Sequence, residues 1–391
     1  MLAFTAKKLL TPAGVIERPL MLVDDGRIVE VAARSGQQVP TGVQLYDFGD
    51  YWIMPGYIDL HIHGGAGYDV MDGNCDALPA VEQFLVRHGV TGYFPTTVTA
   101  PVDLTLRSLE RLANTIEDRE SGNKKEVQAR ALPLGIHLEG PFISHERRGV
   151  HPPEYLLKPT LAMFERFWQA SRGRIRVMTI APELENASEV IAEAARRGVL
   201  VSLGHSDADF ATAQRGIAAG ARHATHAFNA MRPLGHRSPG ILGAVLVDDS
   251  ISADMIVDGI HVDPPVVKLF ARAKGHERAV LITDAISATG MPNGRYRLGS
   301  FEVDVLDGKC TGPGGTLAGS VLTMDRAVQN LMQFAEWNLW QAASTASRNP
   351  ARVVGVANKG NIAIGADADF IVLTSEGEVR RTFVGGTECA R

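Results

Sequence analysis

In the string Asp59-Leu60-His61-Ile62-His63, two imidazoles stand two residues apart within an apolar, β-branched run. Alternation along a strand sends His61 and His63 to one face, about 7 Å apart along it, where both can meet one cation. Alone, the pair reads equally as two ordinary strand histidines. A second string, His137-Leu138-Glu139-Gly140-Pro141, ends an apolar run in a carboxylate just before Gly-Pro turns the chain. The arrangement recurs: His205 follows Leu200-Val201-Ser202-Leu203-Gly204, His226 follows His223-Ala224-Thr225, and Asp284 follows Val280-Leu281-Ile282-Thr283. Neutral imidazoles mixed with carboxylates suit zinc, iron, manganese or cobalt better than calcium or magnesium.

Eight apolar runs could position these groups: Ile58 to His63, Thr91 to Val98, Leu134 to Glu139, Ile175 to Ile180, Leu200 to His205, His223 to His226, Ala253 to Val257 and Val280 to Asp284. Amphipathic stretches follow most of them, among them Glu189 to Arg197, Phe210 to Ala219 and Val266 to Lys274. Repeated βα units predict an α/β chain with a parallel sheet, a (β/α)8 TIM barrel, with a doubly wound open sheet as the alternative. In a barrel, active sites lie at the C-terminal ends of the strands, and five of these runs end in a candidate ligand or proton-transfer group.

The chain ends differ from the middle. Leu20-Met21-Leu22-Val23 and Ile28-Val29-Glu30-Val31, joined by Asp24-Asp25-Gly26-Arg27, form a hairpin signal, and Phe370 to Leu373 and Val379 to Val384 are equally β-rich. These stretches predict a small β-sandwich domain of residues 1–54 and 359–391 around a catalytic barrel of residues 55–358.

Composition bounds the partners. The 391 residues are 45% hydrophobic and 21% charged, an ordinary globular balance with room for a large core. The net charge of −5 and the absence of a basic run beyond Lys124-Lys125 argue against nucleic acid. No apolar window is long enough for a membrane span, and the N-terminus lacks signal-peptide character, so a cytoplasmic protein is expected. Cys75, Cys310 and Cys389 are far apart and read as isolated reduced thiols. Gly64-Gly65-Ala66-Gly67 and Gly312-Pro313-Gly314-Gly315 fail the dinucleotide and Walker spacings and read as loops, as does the polar stretch Glu117 to Glu126. His88, His145, His236 and His276 lack a strand-end setting and read as surface or loop residues.

Taken in order, His137-Leu138-Glu139-Gly140-Pro141-Phe142, Leu203-Gly204-His205-Ser206, Thr225-His226-Ala227-Phe228-Asn229-Ala230-Met231, Asp258-Gly259-Ile260-His261-Val262-Asp263 and Thr283-Asp284-Ala285 resemble the successive signatures of the N-acetylglucosamine-6-phosphate deacetylases of the amidohydrolase superfamily. The likeness spans essentially the whole chain, Asp367-Ala368-Asp369 included. It implies metal-dependent hydrolysis of the acetamide of N-acetyl-D-glucosamine 6-phosphate. Glu139, His205 and His226 would bind the principal divalent ion, Asp284 would act as general base, and His61 and His63 would hold a second ion where one is present. The resemblance also implies that His151 and His261 contact substrate, and that the Asn229-Ala230 backbone and the Arg237 guanidinium hold the phosphate, with Arg237 acting across a homodimer interface. For Arg237 the alternative is a surface ion pair. A different amidohydrolase, or a non-catalytic barrel that keeps the fold, are the competing functional readings.

Overall fold

A computed structural model describes residues 1–34, 39–121 and 129–390. At its centre is a seven-stranded parallel sheet. Tyr57–Ile62 lies beside Val90–Thr97, followed by Leu132–Pro133 and Ile136–Glu139, then Ile175–Ile180, Leu200–Leu203 and His223–Ala224. Ala253–Ile256 and Ala279–Ile282 form a separate parallel pair. Backbone bonds link the two groups at both edges: the Ala224 N–H donates to the Ser252 carbonyl at 3.0 Å, and the Asp284 N–H to the His61 carbonyl at 2.9 Å. Strands of this type, buried along their whole length, are near-continuous in Val, Ile and Leu because helices cover one face and packed side chains the other.

The helices expected from apolar periodicity are present, Phe210–Ala219 with the expected bounds and Ala187–Arg196 and Pro264–Arg278 with ends shifted by a few residues. Asp209 caps Phe210–Ala219 by accepting from the Thr212 N–H, which satisfies one of the open donors of the first turn. Glu117 to Ser121, expected in a loop, continue the Val102–Ser121 helix; the rest of that expected loop lies outside the described residues. Gly64–Gly65 pairs antiparallel with Tyr68–Asp69 rather than forming an open loop, and Pro313–Gly315 is a 3-10 turn.

Three expected strand ends need correction. The strands stop at Leu203, Ala224 and Ile282, and His205, His226 and Asp284 stand just beyond them with φ of +46°, +30° and +50°. Left-handed backbone disfavours continuation of a strand and turns the side chain across the mouth of the sheet; such strain clusters at functional sites. The sequence reading also missed an antiparallel insert of three strands, Gly294–Leu298, Phe301–Leu306 and Lys309–Thr311.

Both chain ends contribute to one six-stranded sheet, where Phe370–Leu373 pairs antiparallel with Trp52–Pro55 and Val379–Val384. A four-stranded sheet lies beside it, containing the expected hairpin of Pro19–Asp24 and Arg27–Ala33 around Asp25-Gly26. Phe4 of that sheet meets Phe370 and Phe383 of the larger one at ring-centroid distances of 4.9 and 5.5 Å. Cys75, Cys310 and Cys389 form no disulfide. Among the described residues no helix is long and apolar enough to cross a membrane.

Candidate metal centre

Every ligand expected from the strand ends arrives at one place. Glu139 Oε1 lies 3.1 Å from His205 Nε2, 3.2 Å from His226 Nε2 and 3.4 Å from His61 Nε2. Its Oε2 lies 3.3 Å from His63 Nε2 and 3.5 Å from His151 Nε2. Asp284 Oδ1 completes the cluster, 3.2 Å from His63 and 3.5 Å from His61. Glu139 therefore joins two sets, His61, His63 and Asp284 on one side and His205 and His226 on the other. The six side chains are buried, and Asp284, at 8% exposed, is the most open to solvent.

The outward-facing ring nitrogens identify which histidines can be ligands. His63 Nδ1 lies 3.0 Å from the Thr96 carbonyl oxygen and His205 Nδ1 2.9 Å from that of Arg147. A carbonyl only accepts, so each Nδ1 carries a proton and each Nε2 is left with a lone pair for a cation. His151 is arranged oppositely. Its Nδ1 accepts from the Thr99 N–H at 3.3 Å and lies 2.8 Å from Thr99 Oγ1. The proton then sits on Nε2, which makes His151 a hydrogen-bond donor into the site although it is close enough to group with Glu139 and His205.

Electrostatics agree with a cage for positive charge. Burial raises the pKa of Glu139, but His61 and bonds from His151, His205 and His226 outweigh it and hold the carboxyl well below its usual range. Burial likewise pushes Asp284 up, yet His61 and His63 bring it down to about 2. Burial lowers His226 and His63, while their carboxylate neighbours raise His226 to about 9 and His63 well above the ordinary imidazole value. In His205 burial prevails and brings it to about 4. The carboxylates thus favour positive charge beside them, which a divalent ion would supply. The donor set fits such an ion.

Two buried carboxylates that the sequence reading did not single out position this set. Asp59 Oδ1 accepts from the backbone N–H groups of His61 and Thr283 at 3.3 Å each, and Oδ2 from Thr283 Oγ1 at 2.5 Å, tying the first strand to the segment that carries Asp284. Burial pushes Asp59 up to about 6. Asp254 accepts from the His226 N–H and lies 2.9 Å from His223 Nε2. Nothing in the local sequence separates these aspartates from solvated ones. His137 is also fully buried: its Nδ1–H donates to the Leu60 carbonyl at 3.0 Å, and its Nε2 accepts from Thr179 Oγ1 at 2.8 Å.

The cluster opens into a cavity of about 280 Å³ whose lining includes Asn229, Ala230 and His261, together with His151 and Arg147. His261 Nδ1 is held 2.7 Å from Asp258 Oδ2. Arg237, in contrast, is exposed and outside the cavity lining. Of the histidines given no role, His145 and His236 are exposed. His88 and His276 are half-buried instead, facing Asp325 at 3.1 Å and Glu277 at 3.2 Å.

Residues 52–389 match the amidohydrolase family. An N-acetylglucosamine-6-phosphate deacetylase of Lysinibacillus sphaericus is 36% identical over 363 residues, covering 93% of this chain and 91% of that one. An N-acetylgalactosamine-6-phosphate deacetylase of Escherichia coli O157:H7 is 36% identical over 382 residues, covering 97% of each. Among solved structures, a mutant N-acetyl-D-glucosamine-6-phosphate deacetylase of Mycobacterium smegmatis in complex with N-acetyl-D-glucosamine-6-phosphate superposes with a TM-score of 0.91 at 33% identity, over 99% of this chain and 98% of that one. This chain therefore belongs to the amidohydrolase family, in its N-acetylglucosamine-6-phosphate deacetylase branch.

Proposed function

We propose that this protein hydrolyses the acetamide of N-acetyl-D-glucosamine 6-phosphate to D-glucosamine 6-phosphate and acetate, in amino-sugar catabolism or cell-wall recycling. One observation carries the reading: a single cavity joins the Glu139-centred cage to the polar end at Asn229, Ala230 and His261. Glu139, His205 and His226 would hold the principal divalent ion, and His61 and His63, with Glu139 and Asp284, a second. Zinc, iron, manganese and cobalt all suit these donors. When bound, the cation supplies Lewis acidity toward water and toward the amide carbonyl.

The chain's own groups do the rest. Asp284, held at about 2, is ionised at neutral pH, and with Oδ1 turned to His61 and His63 its Oδ2 is left to accept a proton from water. It returns that proton to the amide nitrogen, so that the departing group leaves as a neutral amine. His151 donates its Nε2–H to the acetamide oxygen, where negative charge grows as water adds to the carbonyl carbon. The Asn229-Ala230 backbone and His261 receive the phosphate end, and the partner subunit's Arg237 reaches it in a homodimer.

The same reading takes residues 55–358 as a closed (β/α)8 barrel, supported by the backbone bonds at both edges of the parallel strands. Residues 1–54 and 359–391 form the β-sandwich domain, supported by Phe4 packing on Phe370 and Phe383. A cytoplasmic setting follows from the substrate, because a sugar phosphate is too polar to cross a bilayer unaided.

The test is acetate release from N-acetylglucosamine 6-phosphate, its galacto epimer and the unphosphorylated sugar, after reconstitution with each metal. N-acetylglucosamine 6-phosphate should be turned over fastest. Faster turnover of the epimer would reassign the sugar, a reading that the Escherichia coli relative keeps open. No acetate from any of them, with metal content verified, would overturn the proposal.

A further inference from the structure

The three-stranded insert of residues 294–311 reaches the cavity through one side chain. Leu298, at the end of Gly294–Leu298, lines it together with Val98, the residue after the Val90–Thr97 strand. Both are 2% exposed, and they are apolar members of the lining of the cavity that His63 also borders. The two segments approach so closely that a Cβ on Gly299 would lie 2.4 Å from Val98 Cγ1, and Gly299 has φ of +54°, so only glycine fits there. Leu298 is fixed from both flanks. The Arg297 carbonyl accepts from Ser287 Oγ at 2.6 Å, and the Gly299 N–H donates to Asp69 Oδ2 at 2.7 Å. On the other side, the Val98 N–H faces Met71 Sδ at 3.2 Å.

The direction of this wall matters once the substrate's connectivity is considered. An amide carbonyl carbon carries three substituents: the oxygen, which goes to His151; the nitrogen, which must reach Asp284 and leads through the sugar toward Asn229; and the acyl carbon tail. Val98 follows the second strand of the parallel order, whereas Asn229 follows the last, His223–Ala224. The tail therefore points away from the sugar, toward Val98 and Leu298.

We propose that Val98 and Leu298 set the acyl specificity of the enzyme, a rigid apolar stop that admits a two-carbon acyl group and rejects longer ones. This rests on the deacetylase reading above. Shape discrimination against one extra methylene in an apolar pocket amounts to about 10–200-fold in kcat/KM. A pocket wall tied at both flanks cannot yield by loop movement, so it can reach that range.

The experiment compares N-acetyl-, N-propionyl- and N-butyryl-glucosamine 6-phosphate in the wild type, Leu298→Ala and Val98→Ala, with metal content and melting temperature recorded. The wild type should prefer acetyl, and each variant should raise the propionyl-to-acetyl ratio of kcat/KM by about tenfold or more. Competitive inhibition by glucosamine 6-phosphate, which has no acyl group, should move far less than that ratio. If folded, metal-loaded variants keep the wild-type ratio, the wall does not set acyl length and the proposal fails. If neither alanine variant folds, Leu298→Phe decides: it should cut acetyl turnover by about tenfold or more, and wild-type turnover in that variant would sink the idea. A wild type that releases no carboxylic acid from any of the three fails the deacetylase reading instead.

Discussion

The two ends of the cavity are built differently. At the cation end, groups from separate strands converge on Glu139, and His63 and His205 are each fixed by a second bond to a backbone carbonyl. At the proposed phosphate end, Asn229 and Ala230 line the cavity, yet Arg237 is exposed and makes no ion pair among the described residues. The difference teaches where precision is needed. Bond-making groups must be held to a fraction of an ångström by packed neighbours, while a distant anion can be captured by a loop cation supplied from outside the chain.

The largest effect should come from Glu139→Gln. Glu139 serves both ligand sets, and an amide brings less negative charge to a cation than a carboxylate, so elemental analysis should find both ions lost and acetate release should fall to background. Wild-type metal content in that variant would end its role as the shared ligand.

Asp284→Asn removes the proton acceptor. Turnover should fall by about 10²–10⁴-fold, with substrate affinity and the ion at Glu139, His205 and His226 largely kept. Near-normal turnover with the metal verified would take Asp284 out of the base role.

His151→Phe sharpens the distinction between ligand and donor. Because its Nε2 carries the proton, the variant should lose about 10²–10³-fold in kcat while retaining its metal. Loss of an ion from His151→Phe would mean that the tautomer is the reverse of the one the Thr99 N–H imposes.

At the phosphate end, Arg237→Ala should weaken phosphorylated substrate by about 1.5–3 kcal/mol, the scale of a hydrogen bond to a charged group, with much less effect on the unphosphorylated sugar. Mixing Arg237→Ala chains with Asp284→Asn chains tests its reach: confirmed hybrid dimers hold one site with both groups intact and should recover turnover. Hybrids without recovery would confine Arg237 to its own subunit.

Much of the cation end was legible because strand chemistry is local. His61 and His63 follow from period-two alternation, and Glu139, His205, His226 and Asp284 each follow an apolar run. What alternation could not give was the left-handed backbone at His205, His226 and Asp284, which depends on how each chain turns over its neighbours. Asp59 and Asp254 were invisible because only tertiary packing turns an aspartate into a buried acceptor of backbone N–H groups. The insert is a different kind of miss. Phe301-Glu302-Val303-Asp304-Val305 alternates, and Asp307-Gly308 supplies the turn before Lys309–Thr311, so the hairpin signal was present in the sequence. Its packing beside Val98, on which the acyl-length proposal rests, was not.

The central claim is that the Glu139-centred cage works through a divalent ion. Metal should be stripped from the purified chain, verified by elemental analysis, and returned in measured equivalents while acetate release from N-acetylglucosamine 6-phosphate is followed. Activity should be absent at the start and rise in step with occupancy, reaching its plateau by the second equivalent. Full turnover by a chain that holds no metal would contradict the account.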